Sequence, residues 1–184
     1  VLAGPWCAQL LADFGADVVK VERPETGDDT RSWGPPFVKN SKGEETGDAA
    51  YFMSANRAKR SITIDLSKSE GQKVVRDLAT QADILIENYK VGGLKKYQLD
   101  YDSIYHVNKR LIYCSITGFG QTGPYSERAG YDLIIQGAGG LMSITGVPDG
   151  KPGAGPQKVG VAVSDLMTGM YAITAILAAL NWRQ

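Results

Sequence analysis

The sequence predicts an α/β domain with a Rossmann-like fold, in which an open, mostly parallel sheet carries helices on both faces. Short β-rich runs such as Asp17–Glu22 and Asp83–Glu87 alternate with longer segments of helical period. Strands that alternate with helices form βαβ units, whose parallel sheets are covered on both faces. The length of 184 residues suits a single domain with a substantial core.

In the first half of the chain, the spacing of apolar residues predicts each element in turn. A first helix ends before Gly15, and Val74, Val75 and Leu78 share one face of a later helix. The segment Glu25–Asp48 has no clear period and is expected to be a polar loop. The predicted elements are helix Trp6–Phe14, strand Asp17–Glu22, short helix Ala49–Ala55, strand Ser61–Asp65, helix Ser69–Gln81 and strand Asp83–Glu87.

The second half continues the alternation and closes on an apolar helix. Its run Leu166–Leu180 is too short and too rich in small residues to be expected to span a bilayer alone. The predicted elements are short helices near Gly93–Tyr97 and Tyr101–Asn108, strand Leu111–Thr117, helix Tyr131–Met142, a Gly/Pro-rich loop Thr145–Lys158, a fifth strand Val159–Val163 and the closing helix Asp165–Trp182.

The composition argues against several classes of partner. The net charge is zero, which disfavours bulk attraction to nucleic acid or membrane. One His and two widely separated Cys favour neither a structural metal site nor a disulfide, so reduced thiols in a cytosol-like compartment are expected (the mitochondrial matrix if the source is eukaryotic). No signal peptide is visible, and both ends are expected to be cut from a longer chain.

Asp165 is the most informative residue, because it begins a long apolar helix and no basic residue lies between Val159 and Asn181. A buried carboxylate without a partner costs several kcal/mol, so such groups are paired, protonated or used in chemistry. Asp is also a good N-cap, and Ser164-Asp165 is typical of a helix start. Position alone leaves both interpretations open.

Ligands of parallel sheets bind beyond the carboxyl ends of the strands, where Arg23 and Asn88-Tyr89 are predicted to lie. Arg23 suits a phosphate clamp but has Asp28 and Asp29 as neighbours to pair with. An amide beside an aromatic ring suits a nucleotide base or simple loop packing. Lys90, Lys95 and Lys96 follow the same strand end, and form either a phosphate contact or a solvated face.

Three further features favour structural roles. Gly118–Gly123 matches GxGxxG after a strand, but Pro124 follows where a dinucleotide site needs a helix, so a turn is predicted. His106 lies in a polar helix and is expected at the surface. Asp132 opens a helix after Gly130 and is expected to favour its N-terminus.

Taken together and in order, these residues resemble the class III CoA-transferases (CaiB/BaiF type), a group that also holds formyl-CoA transferases and α-methylacyl-CoA racemases. The resemblance covers essentially the whole chain. The matching pieces are Leu2-Ala3-Gly4-Pro5, Gly15–Pro24, Gly27–Arg31, Asn56–Asp65, Glu87-Asn88-Tyr89, Ser115–Pro124, Gly130-Tyr131-Asp132, and Asp165 with Thr168-Gly169.

The resemblance implies that Asp165 is the nucleophile of a transferase that moves CoA from an acyl-CoA to a carboxylic acid. Its features are closest to the branch that uses succinyl-CoA and glutarate-like dicarboxylates. It also implies an N-terminal part of a longer protein whose two subunits interlock as a homodimer, with coenzyme A as substrate and no metal. The residues implied to hold CoA are Leu2, Ala3, Arg23, Ile64, Asn88, Tyr89, Lys96, Tyr131 and Asp132.

Two alternatives remain open at this point. In racemases of the same group, a His occupies the turn equivalent to Gly130-Tyr131-Asp132, and racemisation needs a base on each face of the α-carbon. Tyr131 in that turn favours transfer over racemisation. The other alternative is that residues 1–184 form a catalytically incomplete fragment that binds CoA weakly or not at all.

Overall fold

The computed structural model describes residues 1–184 and confirms the α/β class. The elements in chain order are α1 (Ala3–Asp13), β1 (Val18–Glu22), β2 (Phe37–Lys39), β3 (Glu45–Ala49), α2 (Ala50–Ser54), β4 (Lys59–Thr63), α3 (Ser69–Gln81), β5 (Ile84–Glu87), α4 (Tyr101–Val107), β6 (Ile112–Ser115), α5 (Asp132–Ala138), α6 (Leu141–Ile144) and α7 (Val163–Arg183), with 3₁₀ turns at Asp29–Ser32 and Lys95–Tyr97.

The strands pair two by two. β1 and β4 are parallel, and so are β5 and β6, whereas β2 and β3 form an antiparallel hairpin. The registers place Glu22 opposite Thr63 and Glu87 opposite Ser115. Each parallel pair therefore ends at one common edge, which is where the loops carrying the predicted ligand residues begin.

Helices cover both faces of the β5–β6 pair, as predicted. On one face, Cys7 and Leu11 of α1 meet Ile173 and Ile176 of α7 against the apolar side chains of the strands. The opposite face is covered by α3, α4 and the segment between β5 and α4. Its buried residues are Ala79, Leu94, Leu99 and Ile104. This arrangement brings the start of α1 next to the start of α7.

A half-buried lysine anchors α1 to β4. The Nζ of Lys59 donates to the carbonyl oxygens of Pro5 and Ala55 and to Oδ1 of Asn56, at 2.8, 2.7 and 3.0 Å. Burial lowers the pKa of Lys59 to about 7, and the nearby positive charge of Lys20 adds to the effect. These bonds hold the first turn of α1 in a defined position.

Three sequence-based expectations are wrong in detail. The predicted loop Glu25–Asp48 contains the β2–β3 hairpin, whose residues are mostly polar and exposed, so no apolar period marked it. Val159–Val163 forms no strand and leads irregularly into α7. The predicted helix Tyr131–Met142 is divided into α5 and α6 because Gly140 adopts a left-handed conformation with φ of 80°.

α7 is longer than its apolar run suggested. It has 21 residues, and by length and composition alone it would suffice to cross a membrane. Its buried positions Gly169, Ile173 and Ile176 pack inside the domain, and α1 is its principal neighbour. Cys7 and Cys114 are both free thiols.

Candidate active site

Asp165 lies half-buried in the first turn of α7 but does not cap it. The N-cap residue is Ala162, and it makes no side-chain capping bond. Instead Oδ1 of Asp132, from α5, accepts the backbone N–H of Ser164 at 2.8 Å and that of Asp165 at 3.4 Å. The N-cap interpretation of Asp165 is therefore wrong, because a distant aspartate supplies the cap.

The Asp165 carboxyl group faces the start of α1. The backbone N–H groups of Leu2 and Ala3 favour its charged form and so lower its pKa. These amides lack partners within their own helix, and the positive end of the α1 dipole also favours an anion there. Asp165 thus lies where the starts of two helices converge.

A glycine makes this convergence close. A Cβ atom on Gly169 would lie 2.8 Å from the carbonyl oxygen of Ala3 and 2.9 Å from Cδ1 of Trp6. A side chain at this position would therefore push α1 away from α7. Gly169 lies one turn after Asp165, so the contact places the carboxyl group over the first amides of α1.

Burial and a neighbouring carboxylate raise the pKa of Asp165 above its ordinary value. Burial is the largest cause, and the negative charge of Asp132 adds to it. The backbone N–H groups of Leu2 and Ala3 oppose the rise. Desolvation therefore disfavours the charged form of the Asp165 carboxyl group, whereas the nearby amides favour it.

Gln136 of α5 orients Asp132. Its side chain is 1% exposed, and its Nε2 donates to Oδ2 of Asp132 at 2.6 Å. The backbone N–H of Val159 donates to Oε1 of Gln136 at 2.8 Å. Both carboxylate oxygens of Asp132 are thus engaged in protein hydrogen bonds. Asp132 therefore acts on the start of α7 as well as opening its own helix.

A close glycine contact fixes the turn before α5. A Cβ on Gly118 would lie 2.3 Å from Cα of Gly130, so only glycine allows these two backbones to touch. Gly118 follows the end of β6. The Gly118–Gly123 segment forms a turn without a helix, as predicted, and its role here is to seat the Gly130-Tyr131-Asp132 turn against that strand end.

Tyr51 is a site residue that the sequence analysis missed. Burial and the charges of Asp165 and Asp132 raise its pKa, so its hydroxyl lies within electrostatic reach of both carboxylates. The ring of Trp33 is 5.5 Å from that of Tyr51. Neither residue lies in a segment with a local pattern of chemistry, and only the tertiary fold relates Tyr51 to Asp165.

A second group of predicted residues gathers around Arg23. Arg23 pairs with Asp29 at the surface and lines a cavity of about 270 Å³ beyond the ends of β1 and β4. Burial raises the pKa of Tyr89, and the positive charges of Arg23 and Lys96 oppose that rise. Arg23 thus pairs with an acid and lines a cavity, and its role as a phosphate clamp stays a prediction.

The remaining predicted residues are placed as follows. The buried Ile64 directly follows β4, and its N–H donates to the carbonyl of Glu22 at 2.9 Å, next to Arg23. Asn88 accepts from the amino group of Val1 at 3.3 Å and donates to the carbonyl of Ile116. Tyr131 is 65% exposed and is the N-cap residue of α5.

The chemistry available at this site is that of a carboxylate. No three His, Cys, Asp or Glu residues group as a metal site, and metal independence stays a prediction. His106 is exposed on α4, across the β5–β6 pair from α7. A second cavity, of about 440 Å³, is lined by Lys90 and Lys95 among others, and none of the residues implied to hold CoA lines it.

Comparison with known proteins adds a family and several relatives. Residues 1–184 match the family model described as CoA-transferase family III. A succinate–glutarate CoA-transferase of Agrobacterium fabrum is 61% identical over 180 residues, which cover 98% of this chain and 44% of that protein. A succinyl-CoA:glutarate CoA-transferase of Mus musculus is 49% identical and matches over 100% of this chain and 39% of its own length.

Solved structures share the fold as well. The crystal structure of a CAIB/BAIF family protein from Brucella suis superimposes with a TM-score of 0.91 at 58% sequence identity. The match covers 100% of this chain and 46% of that one. The chain thus spans less than half of the length of the proteins it matches.

Proposed function

The chain belongs to CoA-transferase family III, and from that premise we propose that it uses Asp165 to move CoA from succinyl-CoA to a glutarate-like dicarboxylate. One observation carries the proposal. The Asp165 side chain is half-buried and does not cap its own helix, whose first amides donate to Asp132, and Gly169 one turn later packs against Ala3 at the start of α1. It is therefore available for reaction.

The first half of the proposed reaction transfers CoA to the protein and releases the donor acid. An Asp165 oxygen attacks the thioester carbon of succinyl-CoA, the C–S bond breaks, and a mixed anhydride forms as CoA thiolate leaves. The thiolate then attacks the Asp165 carbonyl carbon of the anhydride. An aspartyl-CoA thioester results, and succinate leaves with the electron pair of the broken C–O bond. Only Asp or Glu can form both intermediates.

The second half repeats these steps in reverse with the acceptor. A carboxylate oxygen of the dicarboxylate attacks the aspartyl thioester and releases CoA thiolate, which then attacks the acceptor carbonyl of the new anhydride. Asp165 returns to its starting state. The Asp165 carbon becomes tetrahedral twice, when the thiolate attacks the anhydride and when the acceptor attacks the thioester. In both states the N–H groups of Leu2 and Ala3 stabilise the negative charge on the Asp165 oxygen, and one well-placed donor is worth roughly 3–4 kcal/mol.

The proposed CoA site extends from Asp165 toward Arg23. Arg23 and Lys96 supply positive charge for phosphate groups, and Tyr89 supplies an aromatic face beside them. Leu2, Ala3, Asn88 and Tyr131 are assigned to the reacting end, and Ile64 directly follows Thr63, which lines the same cavity as Arg23. The names of the two glutarate-specific relatives support succinyl-CoA as donor and a glutarate-like acid as acceptor.

The competing racemase function finds less support in the residues of this chain. Racemisation needs a second base opposite Asp165. The chain has one His, His106, and it lies on the far side of the β5–β6 pair. Tyr131 occupies the turn in which a racemase would carry its His. We propose transfer, with the complete protein acting as a homodimer in a cytosol-like compartment.

Kinetics of the complete protein that carries this sequence test the proposal. Transfer from succinyl-CoA to glutarate should fall by at least three orders of magnitude in Asp165→Ala, while binding of CoA changes little. As a control, Asp149→Asn alters an exposed aspartate in a loop away from the site. Near-parent transfer by Asp165→Ala would refute the role, and exchange of solvent deuterium into a 2-methylacyl-CoA would support the racemase instead.

A further inference from the structure

The contacts around Asp132 point to a function for a buried polar pair that lies beside the nucleophile. We propose that Gln136 and Asp132 are positioning residues: Gln136 orients Asp132, and Asp132 occupies the amides at the start of α7, which leaves the Asp165 side chain free to face α1. This inference rests on the proposed role of Asp165.

The hydrogen bonds leave Gln136 one orientation. Its Nε2 must donate to Oδ2 of Asp132 at 2.6 Å, because its Oε1 accepts from the backbone of Val159 at 2.8 Å. The Nε2 atom also lies 3.5 Å from the carbonyl oxygen of Val161. A side chain that is 1% exposed has no water to replace these partners, so losing one is costly.

The position of Asp132 determines which backbone amides remain for the Asp165 carboxyl group. An aspartate in the first turn of a helix normally competes for the free amides of that turn. Here Oδ1 of Asp132 already accepts from Ser164 at 2.8 Å and from Asp165 at 3.4 Å. The Asp165 carboxyl group is left with the Leu2 and Ala3 amides of the neighbouring helix.

The same pair also sets the charge that Asp165 experiences. The groups that act on Asp165 are Asp132 from α5, Tyr51 from α2, and the Leu2 and Ala3 amides at the start of α1. Among the side chains, Asp132 is the neighbour that brings a negative charge. Holding it in place keeps the nucleophile more basic than an isolated aspartate, and a more basic carboxylate is a better nucleophile.

A pair of substitutions that reverses the polarity of the contact tests the proposal. Asp132→Asn turns an amide N–H toward Nε2 of Gln136, and Gln136→Glu places two carboxylates against each other. The double variant Asp132→Asn/Gln136→Glu restores complementarity. The amide at position 132 can then donate to the carboxylate at position 136, while the amide oxygen still accepts from Ser164. That carboxylate can also accept from Val159, and only the distant Val161 contact is lost.

Steady-state kinetics of the complete protein provide the first measurement. Each single variant should lower kcat for CoA transfer by roughly tenfold or more with little change in KM for succinyl-CoA. The double variant should recover to within about fivefold of the parent. Single variants with parental kcat, or a double variant as slow as the product of the singles, would overturn the proposal. A rise in KM without a fall in kcat would assign Asp132 to CoA binding instead.

The pH profile separates positioning from simple support of the fold. In the double variant the negative charge moves from position 132 to position 136, which is further from Asp165. The pKa of Asp165 should therefore fall, and the acid limb of the kcat–pH profile should shift to lower pH than in the parent. An unchanged limb would contradict the electrostatic part of the proposal. A purely structural role would change the melting temperature of the single variants without this shift.

Adduct formation and crystal structures of the same variants distinguish the proposed function from the proposed positioning role. If the parent forms no covalent adduct at Asp165, the proposed function fails. The proposed positioning role of Gln136 and Asp132 still predicts a change of orientation. The Asp165 carboxyl group should turn away from the Leu2 and Ala3 amides in Gln136→Glu and return in the double variant. If the adduct forms equally fast in all variants, the function stands and positioning fails.

Discussion

At the scale of single residues, the site is defined by how carboxylates are partnered. Asp165 interacts with amides of a neighbouring helix, Asp132 with those of α7, and Glu22 with a guanidinium. Asp165 and Asp132 both lie in the first turn of a helix, so sequence position does not distinguish their roles. The distinction comes from which distant group each one meets.

The raised pKa of Asp165 predicts a stability cost at neutral pH. The folded state binds this proton more tightly than the unfolded state, so stability falls as the pH rises from the unfolded pKa of 3.8 through the higher folded pKa. Asp165→Asn should therefore be more stable than the parent at pH 7, with the difference shrinking toward pH 3.

Urea unfolding of the parent and of Asp165→Asn between pH 3 and pH 7 measures this difference. Asp149→Asn is the matched control, because Asp149 is exposed in a loop and the substitution should leave the curve unchanged. A variant that is less stable than the parent at pH 7 would show that the Asp165 charge stabilises the fold.

Glu22 predicts the opposite pH dependence. Two hydrogen bonds from Arg31, each 2.9 Å long, are the main cause that lowers the pKa of Glu22 to about 2. The stability from this pair is complete above the unfolded pKa of 4.5 and is lost as the pH falls through about 2. Glu22→Gln should cost roughly 2–3 kcal/mol at pH 7.

Chemical unfolding at pH 7 and at pH 2 checks this, with the exposed Glu25→Gln as control. The cost of Glu22→Gln should nearly vanish at pH 2, where the parent carboxyl group is increasingly protonated. A cost of equal size at both pH values would assign the effect to packing instead of charge.

At the scale of elements, the site depends on the close crossing of α1 and α7. Gly169→Ala would place a Cβ 2.8 Å from a backbone oxygen of α1, so the helices must separate. The expected cost is roughly 1–3 kcal/mol of stability. Because the Leu2 and Ala3 amides would move away from Asp165, the rate of CoA transfer in the complete protein should fall at least tenfold.

Thermal unfolding and transfer kinetics of Gly169→Ala measure both effects. Gly160→Ala is a suitable control, since a Cβ there would meet no atom within 4 Å. Parental stability and parental transfer in Gly169→Ala would mean that the crossing tolerates a methyl group and does not position the nucleophile.

The sequence predicted most elements because their signals are local. The apolar face of Ser69–Gln81 and the β-rich run of β5 decide those structures without help from the rest of the chain, and the observed bounds agree. The β2–β3 hairpin has exposed polar strands and gave no such signal. Val159–Val163 resembles a strand but has no strand partner, since Gln136 takes the Val159 amide.

The site was predictable in part for the same reason. Asp165 is conspicuous because its surroundings in the sequence are apolar, and Arg23 and Tyr89 follow strand ends where ligands bind. The roles of Asp132, Gln136 and Tyr51 depend on contacts between distant segments. Single-sequence patterns do not encode such contacts.

At the scale of the whole molecule, large apolar side chains remain uncovered. Phe14, Ile144, Tyr171 and Trp182 are between 70% and 90% exposed. Along α7, Met167, Met170 and Leu177 are also open to solvent. Surfaces of this kind mark contacts with other protein segments.

Isolated residues 1–184 should therefore self-associate and bind a hydrophobic dye. Sedimentation velocity and 1-anilinonaphthalene-8-sulfonate fluorescence measure this, with the complete protein as the control that should bind little dye. Tyr171→Lys, on the exposed face of α7, should reduce both signals in the isolated chain. A dye-free monomer would show that these side chains need no partner.

During the proposed reaction, CoA is attached transiently to Asp165. The most direct measurement is peptide mass spectrometry of the complete protein after incubation with succinyl-CoA and rapid acid quenching. We expect CoA attached to the peptide that contains Asp165, removable by hydroxylamine and absent in Asp165→Asn. CoA attached at any other residue, or no adduct during active transfer, would contradict it.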